Sequence, residues 1–168
     1  MNNVEKNTYV KDQITNAMLI LLKSKELKDI SVSELTDAAG VSRVSFYRNY
    51  KDREDILREH MKRQLTNWLR ENSKQDSTTD ESLGNIFAYL TEHKDFYLLL
   101  SKRNLFHLLK DIVIESFGPK PDQKNIDAYA AAFVANGIYG WIEEWFVRGM
   151  QESGEEMTIL LKNRNLES

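Results

Sequence analysis

The chain has 168 residues, 41% apolar and 29% charged, with no cysteine and a formal net charge of −3. That balance fits one globular domain or two small ones, and it excludes a disulfide scaffold, a thiolate zinc site and a cysteine nucleophile. Residues 1–63 carry 12 Lys and Arg against 10 Asp and Glu while the remainder carries 11 against 16, which permits local phosphate contacts near the start without a general affinity for polyanions.

Taken in chain order, Val10, Ile14, Ala17, Met18, Leu21 and Leu22 fall on one face of a helix running from Thr8 to about Ser24. Ser31-Val-Ser-Glu34 has the form of a capping box and predicts a second helix with Val32, Leu35 and Ala38/Ala39 turned inward, stopped by Gly40. Ser42 is placed to cap a third helix carrying Val44, Phe46, Tyr47 and Tyr50. Asp52 is placed to cap a fourth, with Ile56, Leu57, Met61, Leu65, Trp68 and Leu69 at helical spacing. Residues 71–82 contain no apolar residue and read as a linker. Beyond them the helical intervals of 83–90, 96–100 and 105–117 end at Gly118-Pro119. One long helix is predicted over about Gln123 to Met150, and Ser153-Gly-Glu-Glu156, a second capping box, opens a last one. No alternating strand pattern appears, so the fold class is all-α.

Function is concentrated in residues 30–57. Two short helices joined by Ala39-Gly40-Val41 form a helix-turn-helix, whose second helix can enter a major groove. The small Ala39 lets the helices cross closely, and Gly40 permits a positive φ at the turn. Val41, Phe46 and Tyr50 are candidates for packing. Arg43, Val44, Ser45, Tyr47, Arg48 and Asn49 remain as candidates to project outward. Arg can grip guanine O6 and N7, Val can meet a thymine methyl, and Ser, Tyr and Asn can bond phosphates.

The run Ala39-Gly40-Val41-Ser42, Phe46-Tyr47, Tyr50 and Lys51-Asp52-Arg53-Glu54 resembles the DNA-binding domain of the TetR (tetracycline-repressor) family. The stretch from Gly137 through Gly149-Met150 to Met157 is similar to a regulatory domain of family members from Gram-positive, Firmicutes-type bacteria. The resemblance implies an N-terminal three-helix DNA-binding domain over residues 1–52, a connecting helix over 53–74, and a C-terminal regulatory and dimerisation bundle over 83–168. It implies that Arg43, Val44 and Ser45 face bases, that Tyr47 and Asn49 contact backbone or base, and that Lys51 and Arg53 hold phosphates. Ser33 would sit near the opposite phosphate strand, and Ser42 joins the DNA-binding set at the helix start. Two positions depart from the family pattern: Tyr50 stands where Phe is usual, and Asn49 where an aromatic residue or His is frequent.

In the long helix, Ile126, Tyr129, Phe133, Ile138, Trp141 and Trp145 belong to one apolar stripe and Ala128, Ala132, Ala135 and Tyr139 to a second. A helix apolar on two sides must bury two sides. The expectation is that the second stripe, with Leu160 of the last helix, pairs with another copy of the chain in a homodimer. Phe87, Phe106, Phe133 and Trp141 are expected to line a pocket for a small apolar effector. No apolar run reaches the ~18–20 residues of a membrane span, and the polar first residues show no secretion signal. A cytoplasmic protein without membrane contact is therefore expected. His60, His93 and His107 lack metal-ligand spacing, and no phosphate loop or nucleophile elbow stands out, so neither cofactor, metal nor enzymatic activity is expected. The resulting reading is a transcriptional regulator, a repressor by expectation, acting as a homodimer on a palindromic double-stranded DNA operator. One alternative keeps the fold but places it under a protein partner, with activation instead of repression. Another makes it a helical adaptor without DNA binding.

Overall fold

The computed structural model describes residues 3–72 and 79–163. Among these the elements are α1 (Asn3–Leu22), α2 (Val32–Ala39), α3 (Arg43–Asn49), α4 (Arg53–Asn72), α5 (Thr79–Glu92), α6 (Lys94–Lys102), α7 (His107–Phe117), α8 (Asn125–Val147) and α9 (Gly154–Asn163), with a 3₁₀ turn at Leu27–Asp29. The chain is all-α and forms two compact units, residues 1–61 and 62–168. The division falls inside α4. Of the polar stretch 71–82, residues 73–78 lie outside the described residues, while Glu71 and Asn72 finish α4 and α5 begins at Thr79. No helix among the described residues is long and apolar enough to cross a membrane.

The helix starts follow the capping chemistry. Ser31 Oγ accepts from the Glu34 N–H at 3.1 Å, Ser42 Oγ from the Ser45 N–H at 3.1 Å, and Asp52 Oδ1 from the Asp55 N–H at 2.8 Å. Each satisfies one of the orphan donors that a helix leaves at its start. In the first unit Ile14, Met18, Leu22, Ile30, Leu35, Phe46, Ile56, Leu57 and Met61 are fully buried, so α1 and the first turns of α4 supply most of the core on which the short helices rest. Ala38, expected to face inward beside Ala39, is exposed, and Ala39 alone makes the close approach. Thr36 is also buried; its hydroxyl donates to the Val32 and Ser33 carbonyls at 2.9 and 3.0 Å, which lets a polar side chain sit in the core without loss.

The second unit is held by interlocking rings. Phe87 packs edge-on against Trp145 with centroids 5.7 Å apart, and Phe106 lies against Phe146 at 4.9 Å. Tyr97 touches both Phe146 and Tyr89, and Tyr89 meets Trp68 near the end of α4. Such pairs add about 0.5–1.5 kcal/mol each beyond area burial. The buried hydroxyls of Tyr89 and Tyr97 bond each other at 3.1 Å, and Trp68 Nε1 donates to Glu92 at 2.8 Å. Burial, first of all, pushes the Tyr89 hydroxyl up to about 12 and that of Tyr97 well above its ordinary range. Gly154 opens α9 where α5 passes: a Cβ there would lie 2.8 Å from the Phe87 carbonyl oxygen and from Thr91 Oγ1.

The long helix α8 is shorter than its apolar run, because Gly149 (φ 81°) and Met150 (φ 52°) turn the chain out of the helix. Its faces also divide differently from the expectation. Ala135, Ile138, Tyr139, Ile142, Trp145 and Phe146 point into the unit. Ile126, Tyr129, Phe133 and Val147 stay outside.

Candidate nucleic-acid interface

The turn that aims α3 is built from backbone needs. Gly40 takes φ 65°, ψ 31°, and its N–H reaches the carbonyls of Asp37 and Thr36; the Val41 N–H bonds the Thr36 carbonyl at 3.0 Å. This is the left-handed cap that glycine adopts without steric penalty. Phe46, fully buried, and Tyr50 lie 6.0 Å apart by ring centroids and anchor the inner side of α3. Lys11 Nζ sits 5.7 Å from the centre of the Tyr50 ring, so Tyr replaces the usual Phe as a core residue.

The outer side of α3 then presents what remains. Arg43 is exposed, Val44 is 66% exposed and Tyr47 58% exposed, with the Tyr47 ring braced edge-on against Phe46 at 5.1 Å. Ser42 and Ser45 hydroxyls lie 3.0 Å apart, and Ser33 and Lys51 are exposed on the flanking elements. The Lys51 N–H donates to Asp55 Oδ2 at 3.0 Å, which fixes its backbone.

Two residues of the expected set have structural tasks as well. Asn49 Nδ2 donates to the Ser45 carbonyl at 2.8 Å, so its amide donor is turned back onto α3. Arg53 Nη1 lies within hydrogen-bond reach of the carbonyls of Leu27, at 2.9 Å, Lys28, at 3.1 Å, and Ile30. It clips the 3₁₀ turn to the start of α4. The sequence carries no local signal for this clip, because the partners lie more than twenty residues away.

One further feature adjoins α3. A cleft of about 430 Å³ between α1 and α3 is lined by Lys6, Asn7, Val10, Ser45, Arg48 and Asn49. Neither Lys6 nor Asn7 stood out in the sequence, since a polar first turn of a helix is ordinary.

In the second unit the residues expected around one effector are not brought together. Phe87 is 0% exposed in the core beside Trp145, Phe106 and Trp141 are half-buried, and Phe133 is 79% exposed. The dimer-face set is likewise divided. Ala135 and Tyr139 are covered by their own chain, where Tyr139 donates to Glu143 at 2.8 Å, whereas Ala128 and Ala132 are half-buried and Leu160 is largely open. Burial, followed by the bond to Glu143, keeps the Tyr139 hydroxyl protonated far above its ordinary range. The division has a simple cause. On a helix apolar all round, residue type cannot say which stripe faces the core, and here the stripe with the large rings Trp145 and Phe146 wins. Among the described residues no group of three or more His, Asp or Glu is placed to hold a metal ion.

Comparison with known proteins agrees with this geometry. Residues 77–164 match the TetR-type family model described as a transcriptional regulator C-terminal region. The chain is 29% identical over 150 residues to an uncharacterized HTH-type transcriptional regulator, YxbF, of Bacillus subtilis (strain 168). That match covers 79% of this chain but 39% of the relative, so the chain spans about two fifths of the length of that protein. Among solved structures, the dihydroxyacetone kinase operon activator DhaS superposes with a TM-score of 0.56 over 94% of both chains at 20% identity, a likeness of fold alone. With the motif at Ala39–Glu54, the exposed recognition helix and a family match over more than half of its length, the chain belongs to the TetR family of transcriptional regulators.

Proposed function

We propose that this regulator binds a palindromic DNA operator as a homodimer, with Arg43, Val44 and Ser45 reading bases and Ser33, Ser42, Tyr47 and Lys51 on the backbone. The observation that carries the reading is the outer face of α3, where Arg43, Val44 and Tyr47 stand exposed on a tightly capped turn. Pairing of two copies is supported by the apolar residues that α8 leaves outside, Ile126, Tyr129, Phe133 and Val147, and by Ile159 and Leu160 on α9. Two copies would set their recognition helices about 34–36 Å apart, one turn of B-DNA.

The test is selection of bound duplexes from a random pool, followed by gel shifts. An enriched palindrome is expected, and Arg43→Ala should relax preference at one base position at a cost of about 1–3 kcal/mol. Binding without sequence preference would refute the reading. Repression is the proposed sign, tested with a reporter carrying the selected site; the name of the similar structure, an operon activator, makes a rise in transcription the outcome to exclude.

A second reading concerns the switch. Two of the rings that were to line an effector pocket pack on rings outside that set, Phe87 on Trp145 and Phe106 on Phe146, while Phe133 stands exposed. That favours a protein partner over a small apolar effector as the controlling ligand. Either must prefer the non-binding state by about 5.5 kcal/mol to turn a 99:1 population into 1:99.

A further inference from the structure

The cleft beside the recognition helix lies wholly within the first unit, so its geometry is set by α1 and α3 alone. Its lining combines one cation from each helix, Lys6 and Arg48, with two amides, a hydroxyl and a single valine, and no carboxylate. Among the described residues Lys6 and Arg48 make no ion pair, whereas Lys11, further along α1, pairs with Glu59 at 3.9 Å. Ser45 and Asn49 belong both to the cleft and to the side of α3 offered to DNA, so a strand running along that side passes the mouth of the cleft. A helix about 10–12 Å across fills a major groove about 12 Å wide, and the phosphate strands form the walls beside it. Asn49 is a weak wall contact here, because one of its two amide hydrogens is bound to the Ser45 carbonyl and the amide carries no charge. A phosphate needs donors or positive charge.

We infer that the cleft between α1 and α3 is an additional DNA-backbone site, in which Lys6 and Arg48 clamp one phosphodiester group of the operator beside the bases read by α3. The inference rests on the DNA-binding reading above and adds α1 to the interface. Arg48 supplies a planar fork and Lys6 a point charge, and together they fix how far α3 can roll in the groove.

The test uses the full chain and the duplex that the wild type selects. Lys6→Gln, Arg48→Gln and the double variant are compared with Lys120→Gln, which removes the same charge from an exposed position in the second unit. Affinity is followed against salt, and single phosphates of the operator are replaced in turn by neutral methylphosphonate. The double variant is expected to flatten the salt slope by about 0.9, the value for one phosphate, so that the advantage of the wild type shrinks about 3.5-fold between roughly 50 and 200 mM salt, and each single variant should flatten it by less. Base preference should stay as in the wild type, and Lys120→Gln should leave the slope unchanged. At one phosphate position the methylphosphonate penalty should vanish in the double variant. A wild-type slope in the double variant, or a penalty that persists at every phosphate in the double variant, would overturn the inference while leaving the DNA-binding reading intact. A wild type that selects no duplex would overturn both.

Discussion

The two units use the same device at one helix start each, and it closes differently. Ser31-Val-Ser-Glu34 and Ser153-Gly-Glu-Glu156 are the same motif in sequence. At α9 the box is complete: the Ser153 N–H donates to Glu156 Oε2 at 2.7 Å and the Glu156 N–H to Ser153 Oγ at 3.2 Å. At α2 only the serine half forms, because the Glu34 carboxylate turns to the ammonium of Lys25. The first unit thus takes its polar groups from one segment to tie down another, as Arg53 does with the 3₁₀ turn. The second unit has such ties as well, from Trp68 to Glu92 and from Lys62 to Glu115, but its core is built of rings meeting rings. A small unit that must hold two short helices and a 3₁₀ turn at fixed angles has little apolar area to do so, and ties between segments make up the difference.

The contrast predicts that single truncations hurt the second unit most. Phe87→Ala removes a fully buried ring next to Trp145 and should lower the stability of the second unit by about 3–5 kcal/mol, read as a shift in the urea midpoint. Phe133→Ser, on the same unit but exposed, should leave helix content unchanged and reduce the sedimentation coefficient at micromolar protein. If Phe133→Ser unfolds the chain while Phe87→Ala does not, the assignment of inner and outer faces is wrong.

In the first unit a polar residue outside the core should also carry a sizeable effect. Arg53→Ala removes charge-assisted bonds to backbone carbonyls that are then left without their donor, at a cost of about 1.5–3 kcal/mol. Lys51→Ala, two residues earlier and exposed, should stay within about 0.5 kcal/mol of the wild type. Denaturation followed by amide exchange at residues 27–30 separates the two, and equal stability of both variants would remove the clip from the account. Gly40→Ala should fall between them. It places a Cβ at φ 65° with nothing within 4 Å, so the cost is backbone strain alone, about 1–2 kcal/mol.

Much of the first unit was legible because its signals are local. The caps at Ser31, Ser42 and Asp52, the stop at Gly40 and the inward Phe46 each depend on neighbours within four residues. The outward face of α3 followed by subtraction. What could not be read there, the Arg53 clip and the approach of Lys6 to Arg48, depends on contacts far apart in sequence. In the second unit the helices were legible but their orientation was not. The α8 sequence offers apolar side chains on more than one side, and the position of α7 decides that Ala135 and Tyr139 go inward and Phe133 stays out.

The smallest expected effect is a pH response confined to one helix start. Glu156 is held below its ordinary value of 4.5, first by the Ser153 backbone N–H and then by the Ser153 side chain. A carboxylate lowered in the folded state stabilises the fold fully above its unfolded value, and that contribution is lost as pH falls from about 4.5 through the lowered one. Acidification should therefore loosen the first turn of α9 before the rest of the unit, seen as a falling protection factor at the Ser153 amide. Glu156→Gln should remove the pH dependence at that amide, because its side chain no longer titrates. At Ser31 the corresponding amide should show no such response, since Glu34 there bonds Lys25 and not the helix start. Matching titrations at Ser31 and Ser153 would mean that the two boxes close alike, and the distinction between the units would then rest on their cores alone.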